Sequence, residues 1–428
     1  MTTDKKTRVA IRSTKGGIKA AAEEIFSAFV SESLIRGDEV FVKVNGIDFK
    51  PFCYTDPDVL DAVLGVLNDL GARNISVMEN CTQGNFTRLV FRETGYNEVC
   101  RRHGAKPLYL DEGKRIKVHL ETMGYDVGVN TRLLPIVLEP EAATYINIPK
   151  LKCHSMSTLT LGIKNQFGLI DQADRIRDHN YKIHAKFVDI FRVFTPTLTI
   201  IDAIHAVYNG HYPAEAHLAE SLDRLDILVG GTDMMAVDTV GAKILGYSVD
   251  EVEHLRLSRE AGLGCGDFEV IEIDGPMPPE KKYHYDILMD FPPELKIIRG
   301  KEMNCQEGCA RNTETLIQVL YRDHSGTGNF TVIMGKGFDK EEISSIEGPV
   351  HLAGMCAVDE LEDIVSARPG NARVTKSYGC NNLAASVDGI TKHMGVSMHS
   401  MTPHPVATLF TLLNAKLHGT RARIPKMI

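Results

Sequence analysis

No apolar run in the chain reaches the roughly eighteen residues that a membrane-crossing helix needs. The amino terminus, MTTDKKTRVAIRSTKGG, lacks the apolar stretch of a secretory signal. Basic charge is not in excess either: 48 Lys and Arg stand against 56 Asp and Glu, a net charge of −8, and the cations are scattered. That argues against a broad basic face for nucleic acid. Neither GxGxxG nor GxxxxGKS/T occurs, so a standard dinucleotide or P-loop site is not expected. Low-complexity segments and short repeats are also missing. The expectation is a cytoplasmic globular protein without membrane or nucleic-acid partners, and 428 residues suffice for two or three domains.

What is present alternates. Arg8–Ser13, Glu39–Val44, Ile75–Glu79 and Pro107–Leu110 read as strands, separated by helical periodicity over Gly17–Ile35, Asp56–Leu70 and Phe86–His103. Asp56 suits an N-cap, Pro57 the first helical position and Gly71 the exit. Further strands are expected at Pro135–Leu138, Tyr145–Ile148, Thr197–Ile201 and Asp226–Val229. Further helices are expected at Thr158–Phe167, Asn180–Val193, Asp233–Leu245 and Asp250–Ala261. This alternation predicts an α/β fold with a mostly parallel, Rossmann-like sheet. Pro276, Pro278, Pro279, Pro292 and Pro293 mark a connection. They divide the chain into an α/β domain over 1–290 and a smaller, cysteine-containing α/β domain over 291–428. In the latter, strands Phe330–Met334, Val350–Ala353 and Arg373–Ser377 alternate with helices Ala310–Tyr321, Lys340–Ile346 and Leu361–Ala367, and helices Asn382–Met394 and Pro405–Leu417 close the chain.

The segment Ile148–Ile170, IPKLKCHSMSTLTLGIKNQFGLI, sets Lys150, Lys152, His154, Lys164 and Asn165 among residues that otherwise read as buried. Buried cations are costly without partners or a ligand. Lys150, Lys152 and His154 are expected on the loop leaving a strand, where open α/β sheets bind ligands. Thr160 and Lys164 would share a helical face, and His179 and His184 follow. A desolvated lysine can act as base or nucleophile, and histidine moves protons or ligates metal. The plainer reading is that the lysines snorkel and the histidines lie at the surface or are satisfied in the core. Asp202 should stand at a strand's ligand edge. Gly230-Gly231-Thr232-Asp233 is either an anion-binding turn or an ordinary turn capped by Thr232 or Asp233. Gly335-Lys336-Gly337 is open to the same two readings.

Pro149–Ile170, with His179 downstream, resembles the core signature of the DUF362 family. So do Val42–Asn45 (VKVN), Thr199–Ala203 followed by Gly210, and Gly231–Asp238 (GTDMMAVD). The resemblance spans roughly residues 39–275 and implies a Rossmann-like fold without a settled activity. Many members also carry a ferredoxin-like C-x-x-C-x-x-C run, which this chain lacks. A fainter similarity is to lactate racemase, which works through a nickel-pincer nucleotide. It would give Lys164 a cofactor-holding role and make His154 and His179 metal-ligating or proton-transfer groups. The glycine-rich surroundings of that family's lysine are missing.

Of nine cysteines, Cys305, Cys309, Cys356 and Cys380 fall in the last third, each expected near a strand's carboxyl end or a helix's amino end. Four converging thiolates suit a [4Fe-4S] cluster, with tetrahedral zinc as the alternative. Three ligands, Cys309, Cys356 and Cys380, would leave an open iron acting as a Lewis acid. The plainer reading is small buried thiols near turns. His393, His399 and His404 read as surface residues. Together these features suggest an iron–sulfur lyase, oxidoreductase or racemase acting on a small anionic metabolite or nucleotide-like cofactor. Lys43, Lys152, Asn165, Asp202 and Asp233 would bind it, and His154, Lys164 and His179 would act chemically. The alternative is a metal or cofactor carrier or assembly protein without turnover; a homo-oligomer is compatible with either.

Overall fold

The computed structural model describes residues 7–30, 33–177, 182–368, 373–380 and 382–425. The strands are β1 (Arg8–Ser13), β2 (Val40–Val44), β3 (Ile75–Glu79), β4 (Lys106–Tyr109), β5 (Arg115–Leu120), β6 (Tyr125–Asn130), β7 (Thr144–Ile148) and β8 (Lys150–His154), followed by β9 (Thr158–Thr160), β10 (Leu198–Val207), β11 (Leu222–Gly231), β12 (Glu272–Asp274), β13 (Lys296–Arg299), β14 (Thr331–Met334), β15 (Val350–Ala353) and β16 (Val374–Ser377). The fold is α/β. One sheet of ten strands runs β12-β1-β11-β10-β7-β2-β3-β4, with β8 added along β10 and β9 along β8. From β10 to β4 every pairing is parallel; β11 lies antiparallel to both β10 and β1.

The parallel strands are apolar on both faces because helices cover both. VFVKV in β2 and ISVME in β3 are buried throughout. Helices Ile18–Ala28 and Pro57–Asp69 bury Ile25, Phe26, Leu60 and Val63 on one side. Helices Ile183–Val193 and Met234–Ile244 bury Phe187, Ile190, Val237 and Val240 on the other. Asp56 accepts from the Asp58 N–H ahead of Pro57, the cap its sequence calls for.

The second sheet, β13-β14-β15-β16, is wholly parallel. Helices Arg311–His324, Lys340–Ser344 and Met355–Ser366 connect its strands. The last helix, Pro405–Leu417, leaves this unit and packs Leu412 and Ala415 against Phe86 and Leu89. The tail behind it is tied to the first sheet's side: Gly84 N donates to Arg423 O at 2.6 Å, and Arg423 N to Gln172 Oε1 at 2.7 Å.

Several elements differ from expectation. Leu134–Leu138 is a short helix rather than a strand, with Pro135 in the first turn, where no N–H is needed. The stretch expected as one helix over Phe86–His103 is two, Thr87–Glu93 and Tyr96–His103, broken at Gly95 with φ of 81°. Lys150–His154 is strand, not loop. Thr158–Phe167 is not one helix but β9, a turn of helix over Gly162–Asn165 and a 3-10 turn beginning at Gln166. Pairing with β8 and the β-branched Thr160 favour the strand, which Thr158 enters with φ of 65°. The β5–β6 hairpin had no counterpart in the expectation.

Candidate functional site

The site grows from one long strand interrupted by Pro149. Beyond it, Lys150, Lys152 and His154 alternate with Leu151 and Cys153, so the polar set shares one face while the apolar pair enters the core. The three are not equivalent. Lys150 Nζ lies 2.9 Å from Asp202 Oδ2 in a fully buried pair, and the same oxygen accepts from Asp56 N at 2.8 Å. Lys152 Nζ reaches the Cys53 carbonyl at 2.7 Å and borders an open space; burial lowers its ammonium to about 8.

Lys164 comes from the turn Gly162–Asn165, and that turn is clamped. Asp238, inside helix Met234–Ile244, accepts from Gly162 N at 2.7 Å and Ile163 N at 2.8 Å. A Cβ on residue 162 would stand 2.8 Å from the Asp238 oxygen, so glycine is needed for this approach. Burial pushes the Asp238 carboxyl up to about 7 despite those two donors. Lys164 itself makes no hydrogen bond or ion pair among the described residues; its Nζ stands 5.7 Å from the Phe187 ring centroid. Burial lowers its ammonium to about 7, the cations of Lys152, Arg175 and Lys43 add to this, and Glu79 opposes it.

Beneath lies a buried anchor. Lys43 Nζ is 2.7 Å from Glu79 Oε1 and donates to Val44 O at 2.7 Å. Glu79 also accepts from Gly46 N at 2.6 Å and Asn80 N at 2.7 Å. Asn165 ties in through Asn45 Nδ2 at 2.9 Å and its own donation to Asn147 Oδ1 at 2.8 Å. Gly168 passes so close that a Cβ there would lie 2.5 Å from the Glu79 oxygen.

Above this layer is a cavity of about 590 Å³, walled by the carboxyl edge of β2, β3 and β8 on one side and by the second unit and the tail on the other. Lys152, His154, Lys164, Asn165 and Arg175 line it together. Arg175 donates to Cys81 O at 2.9 Å, and its buried Nε has no partner. His154 is buried; its Nδ1 accepts from Met156 N at 3.1 Å, which leaves the proton of a neutral ring on Nε2. Its ring stacks on His211 at 3.8 Å, within 3° of parallel. The opposite wall is acidic: Asp48 is held toward its protonated form by burial, and Lys50 pairs with Asp323 across the two units. The cationic end, three basic side chains beside one already paired Glu79, fits a carboxylate or phosphate.

Not every expected site residue is here. Asp202 is the buried partner of Lys150, and Asp233 caps helix Met234–Ile244 through Ala236 N at 3.0 Å while accepting from Cys265 N at 2.8 Å. Neither lines the cavity. Lys43 lies one layer below it, behind Glu79. His179 lies outside the described residues. Among the described residues no three His, Cys, Asp or Glu side chains are grouped so as to hold a metal ion. Glu79, Arg175, His211 and Asp238 were not singled out as site residues from sequence. Glu79 does end a strand beside the lysine-bearing one, the only such hint among them.

Strands β2, β7, β8 and β10 and nearly all of helix Met234–Ile244 fall within the stretch that matches a known family. Residues 40–243 match DUF362, described as a domain of unknown function. That match spans just under half of the chain. It is also 24% identical over 246 residues to the thylakoid-associated protein sll1697 of Synechocystis sp., covering 53% of this chain and 69% of the relative. A crystal structure of a Thermotoga maritima protein from a structural genomics consortium aligns with a TM-score of 0.29 and 10% identity over 68% of this chain and 64% of that one, just under two thirds of its length. The matched stretch supplies the three basic side chains of the cavity's cationic end, Lys152, Lys164 and Arg175, with Glu79 beside them, whereas the acidic wall includes Asp323 from outside it. Among the described residues no helix is long and apolar enough to cross a membrane.

Proposed function

We propose that the protein is an enzyme that binds a small carboxylate- or phosphate-bearing metabolite in this cavity and withdraws a proton from it with the Lys164 amine. Lys152 and Arg175 would hold the anionic group, and His154, offering Nε2–H, would donate to the oxygen that gains charge as the C–H bond breaks. The observation that carries this reading is Lys164: a cavity-lining lysine with no hydrogen bond or ion pair among the described residues, held near 7. A lysine so placed is substantially a free amine at neutral pH, the form a base or nucleophile requires. None of the nine cysteines is in a disulfide, which accords with a reducing, cytoplasmic setting.

The test is hydrogen–deuterium exchange into a panel of small carboxylic acids and their phosphorylated counterparts in heavy water. The wild type should exchange an activated C–H of at least one member, and Lys164→Met should lose this while still binding inorganic phosphate through Lys152 and Arg175. Exchange unchanged in that variant, or no phosphate binding by either protein, would overturn the proposal.

A further inference from the structure

The carboxyl edge of the second sheet gathers thiols. The turn after β13, Cys305 to Ala310, leads into helix Arg311–His324 and is bent at Gly308. β15 ends at Ala353, Gly354 caps the helix that follows, and Cys356 is the second residue of that helix, Met355–Ser366. β16 is followed by Gly379 and Cys380 just before helix Leu383–Met394. These junctions touch. Gly354, with φ of 91°, donates to Ser377 O at 3.1 Å, and Met355 N donates to Gly379 O at 3.0 Å. A Cβ on residue 354 would lie 2.4 Å from Cys309 Sγ, so that thiol rests on backbone that only glycine leaves bare. Cys309, Cys356 and Cys380 are each partly exposed, unlike Cys53, Cys81, Cys100 and Cys153 in the core.

We propose that Cys309, Cys356 and Cys380 bind a [4Fe-4S] cluster at this edge, one iron being left without a protein thiolate. Two features favour it. The thiols leave three neighbouring loop-to-helix junctions at the ligand edge of a parallel sheet. The amino ends of three helices, each of at least twelve residues, face the same edge and offset the negative charge of a thiolate-bound cluster.

The edge adjoins the cavity. A Cβ on Gly379 would lie 3.6 Å from Ile176, which lines the cavity beside Arg175, and Leu383 N donates at 2.9 Å to the cavity residue Gln83. A cluster here would therefore border the cavity wall, although its existence does not depend on the proton-transfer reading.

The experiment is anaerobic purification, or reconstitution of the full chain with ferrous iron and sulfide, followed by iron and acid-labile sulfide analysis, visible absorption and electron paramagnetic resonance of the dithionite-reduced protein. A brown protein with equimolar iron and sulfide is expected. Cys309→Ser, Cys356→Ser and Cys380→Ser should each lose it, Cys305→Ser and Cys265→Ser should keep it, and Lys164→Met should keep it whatever its effect on exchange. Gly354→Ala, which displaces the Cys309 thiol without removing it, should reduce cluster content, with circular dichroism confirming the fold of each variant. A colourless protein, stoichiometric zinc, a full cluster in the triple serine variant, or loss of the cluster in Cys305→Ser would overturn the three-thiol assignment.

Discussion

Removing the lysine at the centre of the cavity should make the protein more stable, and by an amount that depends on pH. In Lys164→Met the stem is replaced by a side chain of similar length while the ammonium disappears. The folded protein lowers this ammonium from 10.5 to about 7, so between those values the unfolded chain holds more protons than the folded one. Stability therefore rises with pH across that window, and the cost of the buried charge is fully present below pH 7. At 1.36 kcal/mol per pH unit the ceiling on that cost is about 5 kcal/mol, and screening by cavity water should leave about half of it. Urea unfolding should thus show Lys164→Met more stable than wild type by roughly 2–3 kcal/mol at pH 6, shrinking to roughly 1 kcal/mol at pH 9. A variant no more stable than wild type at pH 6, or a gain constant with pH, would mean that the ammonium is compensated and would refute the reasoning.

Other perturbations probe the layers around it. Glu79→Ala leaves Lys43 buried without its partner and should destabilise by about 3–5 kcal/mol in urea unfolding, with Lys43→Met in the same chain restoring part of the loss. Asp238→Ala frees the Gly162 and Ile163 N–H groups that fix the Lys164 turn. It should cost about 1–3 kcal/mol and lower kcat more than it raises KM, because the lysine is misplaced rather than the anion site removed. In steady-state assays kcat/KM should rise with pH through about 7 as Lys164 becomes a free amine, and fall above about 8 as Lys152 loses the charge that holds the anion. A flat profile between pH 6 and 9 would remove both lysines from these roles.

Where sequence and structure agree, a local signal coincided with the global need. The Asp56-Pro57 start, strand Ile75–Glu79, strand Val350–Ala353 and helix Pro405–Leu417 all carry caps, β-branched runs or helical spacing that tertiary packing does not contest. The misreadings have equally local causes. Thr158–Phe167 has helical spacing, but pairing with β8 and the close approach of Gly162 to Asp238 make it strand and turn. Proline at 135 reads as a strand boundary in a short apolar run, yet it opens a helix.

The site was legible in its basic half. Lys152, His154, Lys164 and Asn165 stood out because cations and amides inside an apolar run need a reason, and one cavity brings them together. Its acidic and structural half was not. Asp202 and Asp233 sit at strand and helix ends, but ion pairing and capping use the same positions as ligand binding does, and here they serve the former. Glu79 reaches the lysines only through the order of strands in the sheet, and Arg175 through the packing of helix Gln172–Arg177, neither of which spacing along the chain reveals.

The most direct measurement is the titration of Lys164 itself, followed by NMR in protein labelled with carbon-13 at lysine Cε. One resonance, missing in Lys164→Met, should titrate near 7 in the folded wild type. A Lys164 resonance that stays protonated up to about 10, as an exposed lysine does, would contradict the account.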